Sequence, residues 1–334
     1  MNRRALKIGT ALIGLAGLIG IIVLVASQDP EALYRLLVGA TGGIALVVAF
    51  HVVPMIASAM AWRAAMRPLW HGRPGLFLWA RLVRESANAL LPVAQVGGDV
   101  IGARILVQHG AKTVQAGAGV LVDLTAEFLT QIVFTAIGLL ALLMFGGGDV
   151  LRWGALGLVI AAVIGGGFVL AQRWGLFRLF EKLAGRVADH FDWPALGSLT
   201  GLHDTMVSIY RNRNAVLAAG VWHLASWLLG AVEVWLTLWV LGAEVGFAEA
   251  LIIESLGQAV RSAAFLVPGA LGVQDGSFLA LGVMFGLPPE MGLSVSLVKR
   301  IRELVMFAPA LLAWYLMEGR RLLREAPEGR NEQA

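Results

Sequence analysis

Uninterrupted apolar runs recur from one end of this 334-residue chain to the other, and they restrict what it can fold into more than any other feature. The runs are Ile8 to Ala26, Gly42 to Ala57, Gly154 to Leu170, Val216 to Leu241 and Leu304 to Leu316. About 20 such residues cross a bilayer as a helix. Lipid offers the backbone no hydrogen bonds, so only helices and closed barrels cross it, and a barrel would show alternating segments of about ten residues instead. The chain is 58% hydrophobic and only 14% charged, whereas soluble domains carry about 25% charged residues. It therefore reads as all-α, a polytopic membrane protein with a single integral domain over about residues 1–326 and a disordered tail over 327–334.

The charges report topology. Lys and Arg collect on the cytoplasmic side of bacterial membrane proteins. Arg3, Arg4 and Lys7 place the N-terminus inside, and the apolar core that follows is longer than a signal peptide's, so it is expected to stay as a first span. Gln28 to Glu31 then lies outside, Arg63, Arg67, Arg73, Arg81 and Arg84 inside, and Gly146 to Asp149 outside. A connector over about 173–213 is basic, with Trp174, Phe177, Phe180, Leu183 and Val187 at helical spacing, which suits a helix on the inner membrane surface or a solvated linker. Arg320, Arg321 and Arg324 hold the C-terminus inside. The net charge of +4 follows from these loops and does not imply a nucleic-acid partner.

Two stretches do not fit as simple spans. Leu76 to Lys112 contains Pro92 and Gly97-Gly98, and Ala250 to Leu287 contains Pro268, Gly269 and Gly272. Each must return to the side it entered, so both read as re-entrant hairpins. They also match each other: Ser86-Ala87-x-x-Leu90-x-Pro92-x-Ala94-x-x-x-x-Asp99 aligns without a gap on Ser262-Ala263-x-x-Leu266-x-Pro268-x-Ala270-x-x-x-x-Asp275, an offset of 176 positions. The same offset pairs Leu121-Val122 with Leu297-Val298 and Glu127 with Glu303. The first repeat, about 33–145, begins outside, and the second, about 209–318, begins inside, because one lone span at 153–172 separates them. The expected fold is thus two inverted repeats, each with a re-entrant hairpin, an arrangement recurrent among transporters.

Ionisable side chains near the bilayer centre cost at least about 2.5–3.5 kcal/mol each and face a protein or water-filled interior. In the first repeat they are Arg84, Glu85, Asp99, Asp123 and Glu127, with the polar Asn88, Gln95 and Gln131. Asp123, Glu127 and Gln131 are spaced by four and share one helix face. In the second they are Glu254, Arg261, Asp275, Lys299, Arg300, Arg302 and Glu303, with Gln258 and Gln274. Consecutive helical residues diverge by about 100°, so the charges of Lys299-Arg300-Ile301-Arg302-Glu303 cannot share one partner. Two readings stand together: a guanidinium here binds a lipid phosphate, or Lys299 or Arg300 neutralises Asp99, Asp123 or Asp275. Asp99 and Asp275 equally suit caps of the helices that resume after the breaks. His51 and His223 read as core histidines rather than proton relays, and Trp62, Trp70, Trp79, Trp153, Trp174 and Trp193 as interfacial anchors.

No zinc-ligand spacing, P-loop, Gly-x-Ser-x-Gly or Asp-x-Asp pair is found, and cysteine is absent. No catalytic residue, metal or cofactor is expected, and an enzyme is the lesser reading.

At Asn88-x-Leu90-x-Pro92 with Gly97-Gly98-Asp99, at Pro268-Gly269-x-x-Gly272-x-Gln274-Asp275, and at Arg300, the chain resembles the transmembrane region of the lysylphosphatidylglycerol synthase/flippase superfamily. Within it the sequence looks most like the hopanoid-biosynthesis-associated membrane proteins called HpnL. Asp275 stands where Glu is common in the wider family. The resemblance implies a lipid flippase-like domain, whose best-known members carry a separate soluble domain for amino-acid transfer. It takes up nearly all of these residues, so lysyl transfer is not expected of them. The implied partner is a membrane lipid, whether phospholipid, hopanoid or polyprenyl lipid, with lipid-biosynthesis enzymes as further partners. The expected function is a lipid transporter that binds an anionic or polar headgroup in a midplane cavity. The alternative is a membrane-embedded enzyme, or an accessory or scaffold subunit, acting on a polyprenyl or hopanoid lipid.

Overall fold

The computed structural model describes residues 30–91, 97–145, 201–264 and 270–325, together with Val159. The expected span Ile8 to Ala26, all of Gly154 to Leu170 but Val159, most of the connector, the tail, and Pro92, Gln95 and Pro268 lie outside the described residues. Those described are helical apart from short connections, with no strand among them.

Proline and glycine set most helix boundaries. Helices α1 (Pro30–Gly39), α2 (Thr41–Phe50) and α3 (Val52–Met66) run on almost without interruption. The break between α2 and α3 falls where Pro54 excludes the helical hydrogen bond to Phe50. Helix α4 (Pro74–Leu90) opens on Pro74 and stops at Leu91, which precedes Pro92 and is extended, with φ −104° and ψ 145°. Helix α5 (Gly97–Gln108) completes the first hairpin, and the long α6 (Thr113–Phe145) follows. After α7 (Leu202–Arg211) come α8 (Arg213–Val240), α9 (Phe247–Ala263), α10 (Val273–Met284) and α11 (Pro289–Glu325).

Thr41–Met66, Thr113–Met144 and Arg213–Val240 are long and apolar enough to cross a membrane. The protein is a helical membrane protein. In contrast, α5 and α10 have 12 residues each and reach only about 18 Å at 1.5 Å per residue, short of a hydrocarbon core of about 30 Å. Each packs on the helix before it, α5 on α4 and α10 on α9, so both interrupted stretches are helical hairpins.

The 176-residue offset seen in the motifs carries both ends of α5 onto those of α10 and the start of α6 onto the start of α11. It also pairs the glycines that end the short arms. Gly110, at φ +101°, and Gly286, at φ +75°, each hold the left-handed turn after the helix. In both, the glycine N–H and the next residue's N–H return to the last helical turn: Gly110 to Val107 and Ala111 to Leu106, Gly286 to Val283 and Leu287 to Gly282.

The packing separates two ends of the bundle. At one, the end of α3, the start of α6, α7 and the start of α8 share a core of Ala65, Ala118, Val122, Met206, Ile209 and Ala219. At the other, α2, the end of α8, the start of α9 and the start of α11 surround Ile44, Leu238, Leu241 and Ala250. Arg63, Arg67, Arg73, Lys112, Arg211 and Arg213 gather at the first end, and Glu31, Glu244, Glu249 and Glu290 lie toward the second. The outward faces are apolar: Leu46 and Ile56 on α2 and α3, Leu217 and Val221 on α8, and Leu304 and Leu316 on α11 are all exposed. Apolar outside and charged inside is the pattern of a protein solvated by lipid. Trp62 corrects the sequence reading, since it is fully buried under Phe77 and Arg84 and is no interfacial anchor.

Close helix contacts in lipid rely on small residues. A methyl group added at Gly292 would lie 2.7 Å from the Phe278 carbonyl and 2.9 Å from the Leu279 Cα, so α11 would have to move off α10. At Gly276, also on α10, an added methyl meets nothing within 4 Å. Gly292→Ala should cost about 1–3 kcal/mol, the usual penalty of overpacking, whereas Gly276→Ala should be neutral or stabilising. Unfolding of the purified protein in detergent measures both, and equal stabilities would refute this packing.

Candidate functional site

Helices that carry charges into lipid must bring their partners with them, and two separate networks do so. In the first, α4 supplies Arg81 and Arg84, which share one helix face three residues apart. The α6 carboxylates of Asp123 and Glu127 meet them. Arg84 Nη1 donates to Asp123 Oδ2 at 2.6 Å, and Arg81 Nη1 and Nη2 donate to Glu127 at 3.1 and 2.5 Å. Arg84 Nε lies 2.6 Å from Asp99 on α5, and Arg81 Nε 3.0 Å from Glu85. His223 Nε2 sits 2.8 Å from the other Asp123 oxygen. The Arg84 guanidinium also lies over the Trp62 ring, 5.4 Å from its centroid.

The second network centres on α11 and distributes its consecutive charges over different helices, as the 100° spacing requires. Lys299 reaches Glu254 on α9 at 2.8 Å. Arg300 makes a two-point contact with Asp275 on α10, Nε to Oδ1 at 3.0 Å and Nη2 to Oδ2 at 2.7 Å. Arg302 donates to Glu233 on α8, whose other oxygen lies 2.6 Å from His51 Nδ1. Glu303 accepts from Arg261 on α9 at 3.0 Å, and Arg261 also donates to Gln274 at 2.9 Å.

Several sequence alternatives now separate. Asp275 is both cap and ion-pair partner: it accepts from the Gly272 N–H at 2.8 Å and from Ser296 at 2.5 Å, besides Arg300. Asn88 caps the other hairpin, taking the Gly98 N–H at 2.8 Å. Asp99 and Asp123 pair with Arg84, so neither is the partner of Lys299 or Arg300. Arg81 and Arg84, counted with a cytoplasmic loop, are instead interior residues of α4. His223 is buried and His51 half-buried, each against a carboxylate. Gln131 leaves the charged face of α6 and bonds across to α9, to the Gln258 carbonyl at 3.0 Å and Ser262 at 2.6 Å.

Five network members lie outside the candidate site residues: Arg81, Glu233, Arg302 and the two histidines His51 and His223. Glu233 had the plainest signal, a lone acid in an apolar span.

The two networks share an architectural feature. In each half, the first arm of the hairpin and the long helix after it, α4 with α6 and α9 with α11, scarcely pack backbone to backbone. Ion pairs cross the space between them. Contact runs instead between halves, α4 on α11 and α6 on α9. Most of the charges are sealed, yet the side chains of Glu85, Glu127 and Arg261 remain 31%, 22% and 25% exposed. These form the open edges of the networks.

Asp123, Glu127 and His223 bring one ligand atom each within 4.8 Å of one another. Arg81 and Arg84 already donate to both carboxylates, so a metal ion would have to displace two guanidinium groups. We assign the trio to the ion-pair network.

Removing one partner of a buried pair leaves an uncompensated charge and costs about 3–5 kcal/mol, whereas replacing both with apolar groups is often neutral. Lys299 and Glu254, both nearly inaccessible, give a clean test. Lys299→Met should destabilise by that amount, and Lys299→Met with Glu254→Met should recover most of it. A double variant as unstable as the single one would show that the pair is not the relevant interaction.

No curated protein and no solved structure shows significant similarity to the chain. A protein family does match, described as the lysylphosphatidylglycerol synthase TM region, over residues 8–310. The match covers α1 to α10, most of α11 and both charge networks. With its hairpins, long helices and interior charges, this chain belongs to the lysylphosphatidylglycerol synthase transmembrane-region family, a membrane family tied to lipid metabolism.

Proposed function

We propose that the protein is a lipid transporter of flippase type in the bacterial cytoplasmic membrane, with both termini cytoplasmic. In this reading residues 1–326 form one domain of two inverted repeats. The hairpins α4–α5 and α9–α10 are re-entrant, entering from opposite faces. A polar or anionic lipid headgroup is held between the charge networks while its tails stay in the bilayer. The motifs favour the HpnL branch of the family, and with it a hopanoid or related polar lipid as substrate.

The observation that carries the proposal is the pair of bridged gaps. Buried ion pairs contribute little net stability over apolar packing of the same volume, so stability alone does not account for so many charges in lipid. Here they span spaces that backbone packing leaves open. Glu85 and Glu127 present acid, and Arg261 and Arg300 base, at the partly exposed edges. A headgroup carrying charge could exchange with such pairs without stranding any partner. Interrupted helices near a midplane are the usual place of a transporter's binding site. The remaining described candidates divide by place: Asn88 at the end of α4, Asp99, Gln274 and Asp275 at the starts of the short arms, and Arg84, Asp123, Glu254, Lys299 and Glu303 along the bridges.

Reconstitution in vesicles tests the proposal. The protein should speed leaflet exchange of labelled phosphatidylglycerol or of a polar hopanoid above the protein-free rate. Glu85→Gln, Arg84→Ala and Arg300→Ala should each slow it by about tenfold or more, equivalent to about 1.4 kcal/mol. Acceleration of no lipid, or full activity in all three variants, would defeat the model. Lipid mass spectrometry of a deletion strain provides the second arm. Unchanged lipid species in the wrong leaflet support transport, and loss of a chemical species would make the protein an enzyme.

A further inference from the structure

We propose a second binding site, for a phosphate-bearing lipid, in the groove between the end of α3 and the start of α8 at the basic end of the bundle. The groove lies outside both charge networks and encloses about 480 Å³, within the range of about 300–1,000 Å³ typical of small-molecule sites.

Its lining has two tones. Arg63 at the end of α3, Arg67 and His71 in the connection after it, and Asn214 at the start of α8 form a polar rim, and Met60, Ala218 and Trp222 form an apolar floor. A shallower depression beside it shares Pro68, Asn212 and Asn214 and adds Arg211 and Arg213. Among the described residues no carboxylate comes within ion-pair distance of Arg63, Arg67, Arg211 or Arg213. This sets the groove apart from the interior, where Arg81, Arg84, Arg261, Arg300 and Arg302 all lie on acids.

The rim is also ordered. Arg63 Nε donates to the Gly72 carbonyl at 3.2 Å, which holds the stem and leaves both terminal nitrogens to a ligand. Asn212 caps α8 by accepting from Ala215 N at 3.0 Å. The positive end of this 28-residue helix therefore adds to the field of the arginines. Guanidinium groups match phosphate oxygens in paired hydrogen bonds.

The floor decides between two sources of phosphate. Free phosphate needs only the rim, whereas a lipid also needs an apolar path toward the bilayer. Trp222 is 43% exposed on the apolar surface of α8, next to the exposed Val221, so the floor continues onto the surface that faces acyl chains. The depth fits too, because the rim sits where a span ends and another begins, at the level of lipid headgroups. By the charge rule this is the cytoplasmic face.

Native mass spectrometry of the full chain, released from detergent with phosphatidylglycerol or phosphatidylcholine, tests the proposal. The readout is binding, so it stands or falls independently of leaflet exchange. Phosphatidylglycerol should be retained in preference to phosphatidylcholine. The double variant Arg63→Ala with Arg67→Ala should weaken retention at least tenfold, and Trp222→Ala severalfold. Arg35→Ala, at the opposite end of the bundle, should leave it unchanged. Circular dichroism on the same samples excludes unfolding. Retention unaffected by the double variant overturns the proposal. So does inorganic phosphate that displaces the lipid at equal concentration with Trp222→Ala without effect, since the site would then serve a free anion.

Discussion

A charge in lipid has no solvent to retreat to, and the interior of this protein depends on meeting that demand with protein groups. The ion pairs from α4 to α6 and from α9 to α11 take the place that apolar packing holds in a soluble core. Because they are long side chains, they hold helices together at a distance. The cost of desolvating them is repaid only with good geometry and further hydrogen bonds. Those are present: Asp275 takes a backbone N–H, a hydroxyl and a guanidinium, and Glu254 takes Lys299 and Gln258.

From this constraint follows the role of α11. Four charges within five residues would be unstable on a helix with a single packed face. Here the helix is surrounded, and successive residues turn toward α9, α10 and α8 in order. Arg302 and Glu303 add a weak contact to each other at 3.8 Å, while their main partners lie on different helices. The segment works as a rivet through the second half of the bundle. Its charges set it apart from the apolar spans, and its helix packs chiefly on α10 and α4.

Much of this was legible in sequence, and the parts that were not share a cause. Hairpin arms, their breaks and the offset between them follow from Pro, Gly and periodicity, all local properties, and so does the opposed direction of the charges at 299–303. Pairing is not local. Arg84 and Asp123 are 39 residues apart, Arg302 and Glu233 69, and His223 and Asp123 100. No spacing rule links such residues. Counting basic residues treats each as a mark of the cytoplasm and so places Arg81 in a loop, and a buried arginine breaks that premise. Trp62 misled for a related reason: an aromatic near the end of a span reads as an anchor, unless a cation lies over its face.

The two halves also differ in what the shared backbone offset preserves. It pairs Asp99 with Asp275 and Glu127 with Glu303, yet it places Arg261 opposite Glu85 and Lys299 opposite Asp123. In the first half the hairpin arm carries Arg81 and Arg84 and the long helix carries the acids. In the second the long helix carries Lys299, and the arm answers with Glu254. Backbone geometry can be common to both because a bridge needs complementary ends and not a particular sign at either end. The result is electrically uneven. Among the described residues, Glu85, Asp99, Asp123 and Glu127 outnumber Arg81 and Arg84 in the first network, whereas Glu233, Glu254, Asp275 and Glu303 match Arg261, Lys299, Arg300 and Arg302 in the second. In the proposed reading, a dipolar headgroup held between the networks would meet an acid-rich side and a balanced side, and that difference would orient it.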